Sequence, residues 1–166
     1  VCLQDYNKGI LEPAFCQSLI QLARKAGKKV LVDPPLDMDY SKFAGASLIT
    51  PNRKESSHAV GFEIKTIADA EKAADQLKNE LQLDTVVITL DKEGAFLRTN
   101  DLAKQIPTQP RNVYDVTGAG DMMLAMLAVG LAAGCDDETA LQLANIASGI
   151  EVEKFGVATV SVDEIV

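Results

Sequence analysis

Short apolar runs alternate with longer stripes of helical period along this chain, and breakers separate almost every pair. Residues 29–33 (Lys-Val-Leu-Val-Asp), 47–50 (Ser-Leu-Ile-Thr) and 85–90 (Thr-Val-Val-Ile-Thr-Leu) are brief, largely Val, Ile and Leu, and closed by Pro or Asp. That is the pattern of strands buried on both faces. A helix opens at Leu11-Glu12-Pro13, carries Phe15, Leu19, Leu22, Ala23 and Ala26, and stops at Gly27. A second runs from about Thr66, placed as N-cap, to Leu81, with Ala70, Ala73, Ala74, Leu77 and Leu81 on one stripe. Strands that alternate with helices need crossover connections, so the class is α/β with a parallel sheet covered on both sides.

Beyond Leu90 the rhythm changes. Asp91-Lys92-Glu93-Gly94 reads as a turn, 95–98 (Ala-Phe-Leu-Arg) as a returning strand, and a polar turn at 99–101 precedes another short strand near Ile106. These add an antiparallel edge. Two helices, about 119–134 and 137–153, finish the chain before a short segment at 158–161.

Composition narrows the class further. The chain has 166 residues, 47% of them hydrophobic, enough for one domain core. Its most apolar run, Met122 to Ala133, is broken by Gly130 and falls short of the ~20 residues that cross a bilayer. Nothing at the front reads as a signal peptide. The net charge of −8 opposes a nucleic-acid surface, and the basic run at 23–29 reads as dipole partners at a helix end. Three cysteines without a CxxC pair and a single histidine, His58, suggest neither a zinc cage nor a disulfide framework. They predict a reducing, cytoplasmic setting.

The chemistry concentrates in Asp115-Val116-Thr117-Gly118-Ala119-Gly120-Asp121, at the mouth of the greasiest helix. A Gly-x-Gly turn feeding a helix N-terminus offers unpaired amides backed by the positive end of the dipole, a place for phosphoryl oxygens. Asp121 has two readings here: a first-turn residue that compensates the dipole, or a general base for an attacking hydroxyl. Asn52 and Glu55, three apart at a helix start, likewise fit a simple cap or the waters of a magnesium ion. Asp5, Lys8 and Asp33 fall at predicted strand ends, where open α/β sheets gather ligand groups. Met122, Met123 and Met126 read as core behind the site. No GxGxxG follows a predicted strand, which weakens a dinucleotide-binding reading.

The 115–121 segment resembles the C-terminal signature of the ribokinase-like (PfkB) carbohydrate kinases. Residues 50–55 (Thr-Pro-Asn-Arg-Lys-Glu) resemble the NxxE segment of that family, Thr89-Leu90 with Gly94 its nucleotide-side TLGxxG turn, and Ala144-Asn145 with Lys154-Phe155-Gly156 its late adenine-site region. The resemblance implies a three-layer, Rossmann-like sandwich, and ATP and Mg2+ as cofactors. It implies Asp121 as catalytic base, with Gly118, Ala119 and Gly120 as anion hole. Asn52, Glu55, Thr89, Gly94, Asn145 and Lys154 would lie on the nucleotide side, Glu55 behind the metal, and Asp115 and Thr117 at a monovalent cation.

Residues 3–9, 32–34, 49–52 and 113–118 further resemble the heptose 7-phosphate kinase domain of ADP-heptose synthases, implying phosphorylation of an anomeric hydroxyl. One segment departs: Asp33-Pro34-Pro35-Leu36 stands where Asp-Pro-Lys-Gly is common. Ribose, fructose or fructose phosphate as acceptor, or a nucleotide-binding module without catalysis, are the alternatives. The family's length implies that residues 1–166 form the C-terminal part of one kinase domain. The lid, most sugar contacts and a homodimer interface are expected in the missing N-terminal half.

Overall fold

The computed structural model describes residues 1–36, 39–108 and 113–165. Six strands form one sheet in sequential order: β1 (Cys2–Gln4), β2 (Leu31–Asp33), β3 (Leu48–Ile49), β4 (Thr85–Thr89), β5 (Ala95–Arg98) and β6 (Ala103–Ile106). The first four run parallel, and β5 and β6 fold back antiparallel, as the change of rhythm after Leu90 predicts. The helices are α1 (Pro13–Lys25), α2 (Arg53–Val60), α3 (Ile67–Glu80), α4 (Ala119–Ala132), α5 (Asp137–Glu151) and the single turn α6 (Val162–Ile165).

The period of two along each strand divides the core. Val30, Val32, Ile49, Val86, Ile88 and Phe96 face a cluster completed by α1 and α3. Their alternate neighbours Leu31, Leu48, Val87, Ala95 and Leu97 face α4 and α5. The result is the three-layer arrangement, helices on both sides of a mostly parallel sheet. Met123 is buried in the second cluster and Met126 packs against it, while Met122 is half-buried.

One expectation changes. On α1 the buried stripe is Cys16, Ile20 and Ala23, while Phe15 and Leu22 are exposed. Phe15, Leu19 and Leu22 continue the apolar face beside Cys16, Ile20 and Ala23, and docking against the 3-10 turn at Tyr40–Phe43 selects which edge is buried. Beyond α5, Ser161 leads into α6 and bonds Glu164 through its amide and hydroxyl.

Candidate functional site

The site grows from the carboxyl ends of the parallel strands. Asp33 closes β2, and its carboxylate is fixed by Gln4 Nε2, donating at 2.5 Å, and Thr50 Oγ1, donating at 3.0 Å. The start of α4 lies directly over it: a Cβ built on Gly120 would sit 3.4 Å from Asp33 Oδ2. From the loop after β1, Tyr6 reaches 115 residues along the chain to donate its hydroxyl to Asp121, at 2.7 Å from Oδ1 and 2.8 Å from Oδ2. Asp121 is exposed in the first turn of α4.

The approach to α4 is built by a loop that bonds itself. Asp115 Oδ1 accepts from the Thr117 amide at 2.9 Å and Oδ2 from the Gly156 amide at 3.2 Å, and these bonds hold its carboxyl below the ordinary range. The Tyr114 amide donates to Val152 O at 2.8 Å, which ties the loop to the end of α5. Gly118 follows as N-cap at φ 96°, in the left-handed region, with no side chain capping the helix. A Cβ at Gly118 would strike the Glu151 carboxylate, so glycine is required on two counts. The Ala119 amide donates to Val116 O at 3.3 Å, inside the turn; the following first-turn amides have no acceptor in their own helix.

The electrostatics are one-sided. Burial pushes the Asp33 carboxyl up, against the bonds from Gln4 and Thr50, and the charge of Asp121 adds to the rise. Burial likewise raises Glu55, the Asn52 amide opposes, and Asp33 adds. The hydrogen bond to Asp121 first, then burial and the charges of Asp121 and Asp33, push the Tyr6 phenol up to about 12. Among the described residues no three Asp, Glu, His or Cys side chains converge to hold an ion alone. Magnesium does not require that, because it keeps several waters and takes one or two carboxylates together with phosphate oxygens. Carboxylates disfavoured by burial and by each other, beside a helix start suited to phosphate, fit such an ion.

Asn52 caps α2, accepting from the Lys54 and Glu55 amides at 2.9 and 3.0 Å, and Glu55 Oε2 accepts from the Asn52 amide at 2.7 Å. Thr89 ends β4, bridged to Asn52, and its amide donates to Pro51 O at 3.1 Å. Gly94 turns at φ 89° with the Ile106 carbonyl where a side chain would go. Arg53 pins that turn through ion pairs with Asp91 and Glu93. Asn145 is buried and donates to Ile106 O at 3.1 Å, joining α5 to β6. Lys154 donates to Thr159 O at 2.7 Å and pairs with Glu164 at 2.6 Å. Asp5 is no loose loop charge: it is buried and paired with Lys42 at 2.6 Å, whereas Lys8 is exposed.

Sequence reasoning passed over Tyr6 and Glu151. Tyr6 stands in the Leu3–Gly9 stretch directly after a strand, a position that signals a ligand-facing loop. Glu151 is 2% exposed, and its Oε2 has no hydrogen-bond partner among the described residues. Its only sequence signal is an acid in the last turn of a helix, where the dipole favours a cation.

A doubly covered, mostly parallel sheet with a glycine-formed helix start and a carboxylate at its carboxyl edge places the chain among the three-layer α/β proteins. Residues 8–164 match the model of the pfkB family carbohydrate kinases, and the chain belongs to that family. It is 47% identical over 165 residues to the bifunctional protein HldE of Wolinella succinogenes and 42% identical to that of Campylobacter fetus. It covers 99% of itself in both alignments but only 34% and 36% of those proteins, so the chain spans about a third of their length. Among solved structures it is similar to Arabidopsis thaliana ribokinase complexed with ribose and ATP, with a TM-score of 0.84 and 25% identity over 95% of this chain and 50% of that one. It is also similar to Escherichia coli phosphofructokinase-2 in complex with potassium, with a TM-score of 0.81 and 25% identity over 93% and 50%. The ribokinase-like fold is therefore shared. No helix among the described residues is long and apolar enough to cross a membrane.

Proposed function

We propose that residues 1–166 form the phosphoryl-transfer side of a sugar kinase, which moves the γ-phosphoryl group of ATP to a sugar hydroxyl. Asp121 takes the proton from the attacking oxygen, and amides of the Gly118–Gly120 turn hold the phosphoryl oxygens. Asn52 and Glu55 hold waters of a magnesium ion, which supplies charge neutralisation between the phosphates. Asp115 and Thr117 shape the turn and offer oxygens to a monovalent cation; the potassium in the phosphofructokinase-2 structure supports this. Thr89, Gly94, Asn145 and Lys154 frame the nucleotide side, the last three through backbone shape and loop anchoring.

The observation that carries the reading is the Tyr6 hydroxyl on Asp121: a hydroxyl already sits at hydrogen-bond distance from the proposed base, beside a helix start that no side chain caps. For the acceptor, the similarity to HldE across 99% of the chain supports heptose 7-phosphate, phosphorylated at its anomeric hydroxyl. The test is a panel in which the intact protein is given ATP, Mg2+ and heptose 7-phosphate, ribose, fructose or fructose 6-phosphate. Preferential consumption of ATP with the heptose is expected. Preference for another sugar overturns the acceptor, and turnover with none overturns the kinase.

A further inference from the structure

The loop from Asp5 to Leu11 is fixed at both ends and free in the middle. Lys42, buried at 6% exposure, bonds Asp5 Oδ2 at 2.6 Å and the Leu11 carbonyl at 3.1 Å, so one ammonium clamps the two ends together. Asp5 Oδ1 also accepts from the Asn7 amide at 2.8 Å. Between the clamps Tyr6 is 61% exposed and Ile10 79%, and Asn7 and Gly9 have positive φ. The Tyr6 ring is thus held at its tip, by one phenolic proton shared between the two oxygens of Asp121.

We propose that the Tyr6 phenol is a displaceable occupant of Asp121, which holds the acceptor's place on the base against water until a sugar hydroxyl takes it. The inference rests on the kinase reading and assigns Tyr6 as a positioning residue. An acceptor oxygen must come within ~2.6–3.2 Å of the carboxylate that removes its proton, the place where the phenol oxygen now stands. Water and a sugar compete for that place on unequal terms. A sugar brings further hydroxyls whose binding energy displaces the phenol, and a lone water has none to bring. A phenol whose pKa is raised to about 12 stays protonated and remains a donor throughout the working range. The proton balance is simple: Asp121 receives one proton, from the sugar hydroxyl when it attacks or from water when it does.

The test uses the full-length protein and reads the ratio of acceptor-free ATP hydrolysis to sugar phosphorylation. Tyr6→Phe removes one oxygen and keeps the ring. Its ratio is expected to rise roughly tenfold, the rate equivalent of one hydrogen bond to a charged group. Tyr6→Ser, whose hydroxyl is too short to reach Asp121, is expected to match it, which covers a failure of either variant to fold. A ratio at or below wild type in a folded variant overturns the proposal. The two readings fail differently: wild-type protein inert toward every sugar removes the kinase reading and this one with it. Active wild type, dead Asp121→Asn and an unchanged Tyr6→Phe ratio remove this one alone.

Discussion

Two of the helices that begin at the carboxyl edge of the sheet, α2 and α4, build their first turns in opposite ways. α2 plugs its own start: Asn52 and Glu55 exchange hydrogen bonds with each other's backbone amides in a complete capping box. α4 begins on Gly118 with no capping side chain at all. Two other long helices side with α2. Thr66 and Asp69 close α3 in the same reciprocal way, and Asp136 caps α5. α1 has no capping side chain, but Pro13 in its first turn removes one of the donors that would need a partner. Orphan amides are costly enough that three of these five helices cap them from their own sequence. Of the two that do not, α4 lies over Asp33 and carries Asp121, and neither a side chain nor a proline relieves its first turn.

The comparison breaks most severely at Asp121. If α4 is open for catalysis, Asp121→Asn is expected to lower sugar phosphorylation by roughly 10²–10⁴, the range of a general base, while nucleotide binding persists. Calorimetry with ATP beside a steady-state assay checks both halves. Normal turnover would leave Asp121 as a dipole partner, equivalent to Glu55 in α2.

Gly118 comes next. Alanine there meets a left-handed φ, costing roughly 1–2 kcal/mol, and must also displace Glu151. Gly118→Ala is expected to lose stability and most turnover together. Gly118→Ala with Glu151→Ala is expected to regain part of the stability, because only the collision is relieved. Equal melting temperatures for the single and double variants would show that the collision costs nothing.

The capped helices supply a smaller and sharper contrast. Removing either cap, Asn52→Ala or Thr66→Ala, is expected to cost about 1 kcal/mol of stability. Only Asn52→Ala is expected to raise the Mg2+ concentration needed for half-maximal activity, because Glu55 of α2 lies close enough to Asp33 to feel its charge and nothing places α3 there. Superimposable Mg2+ titrations would make Asn52 a cap and nothing more.

Much of this organisation was legible in the chain. Brief continuous apolar runs closed by Pro or Asp located β2, β3 and β4, and the stripe of Ala70, Ala73, Ala74 and Leu77 located α3 with its buried face. The Gly-x-Gly turn located α4. The phase of α1 was not legible, because Phe15, Leu19 and Leu22 continue the apolar face beside Cys16, Ile20 and Ala23, and tertiary docking chose among them. Nor were the long-range partners: a tyrosine at position 6 carries no local sign that it meets position 121. Asp5 looked like a ligand group because strand ends collect them, yet Lys42, 37 residues on, had already claimed it. Spacing within an element is encoded locally, whereas pairing across the sheet edge depends on how crossovers stack.

Glu151 tests how far the openness of α4 extends into the protein behind it. Its carboxyl is raised chiefly by burial; the Ala158 amide opposes, the charges of Asp121 and Asp115 add, and Lys154 opposes weakly. The folded protein therefore binds that proton more tightly than the unfolded chain does. Its contribution to stability is fully present below the ordinary glutamate range and is lost as pH rises through the higher folded value. Glu151→Gln cannot ionise, so its melting temperature is expected to match wild type at acid pH and to exceed it increasingly as the pH climbs toward neutrality. Melting curves that run parallel at every pH would mean that the acid is compensated where it stands. A gap that opens with pH would instead show α4 flanked by an anion on its protein side, leaving a phosphate to approach only from the cleft.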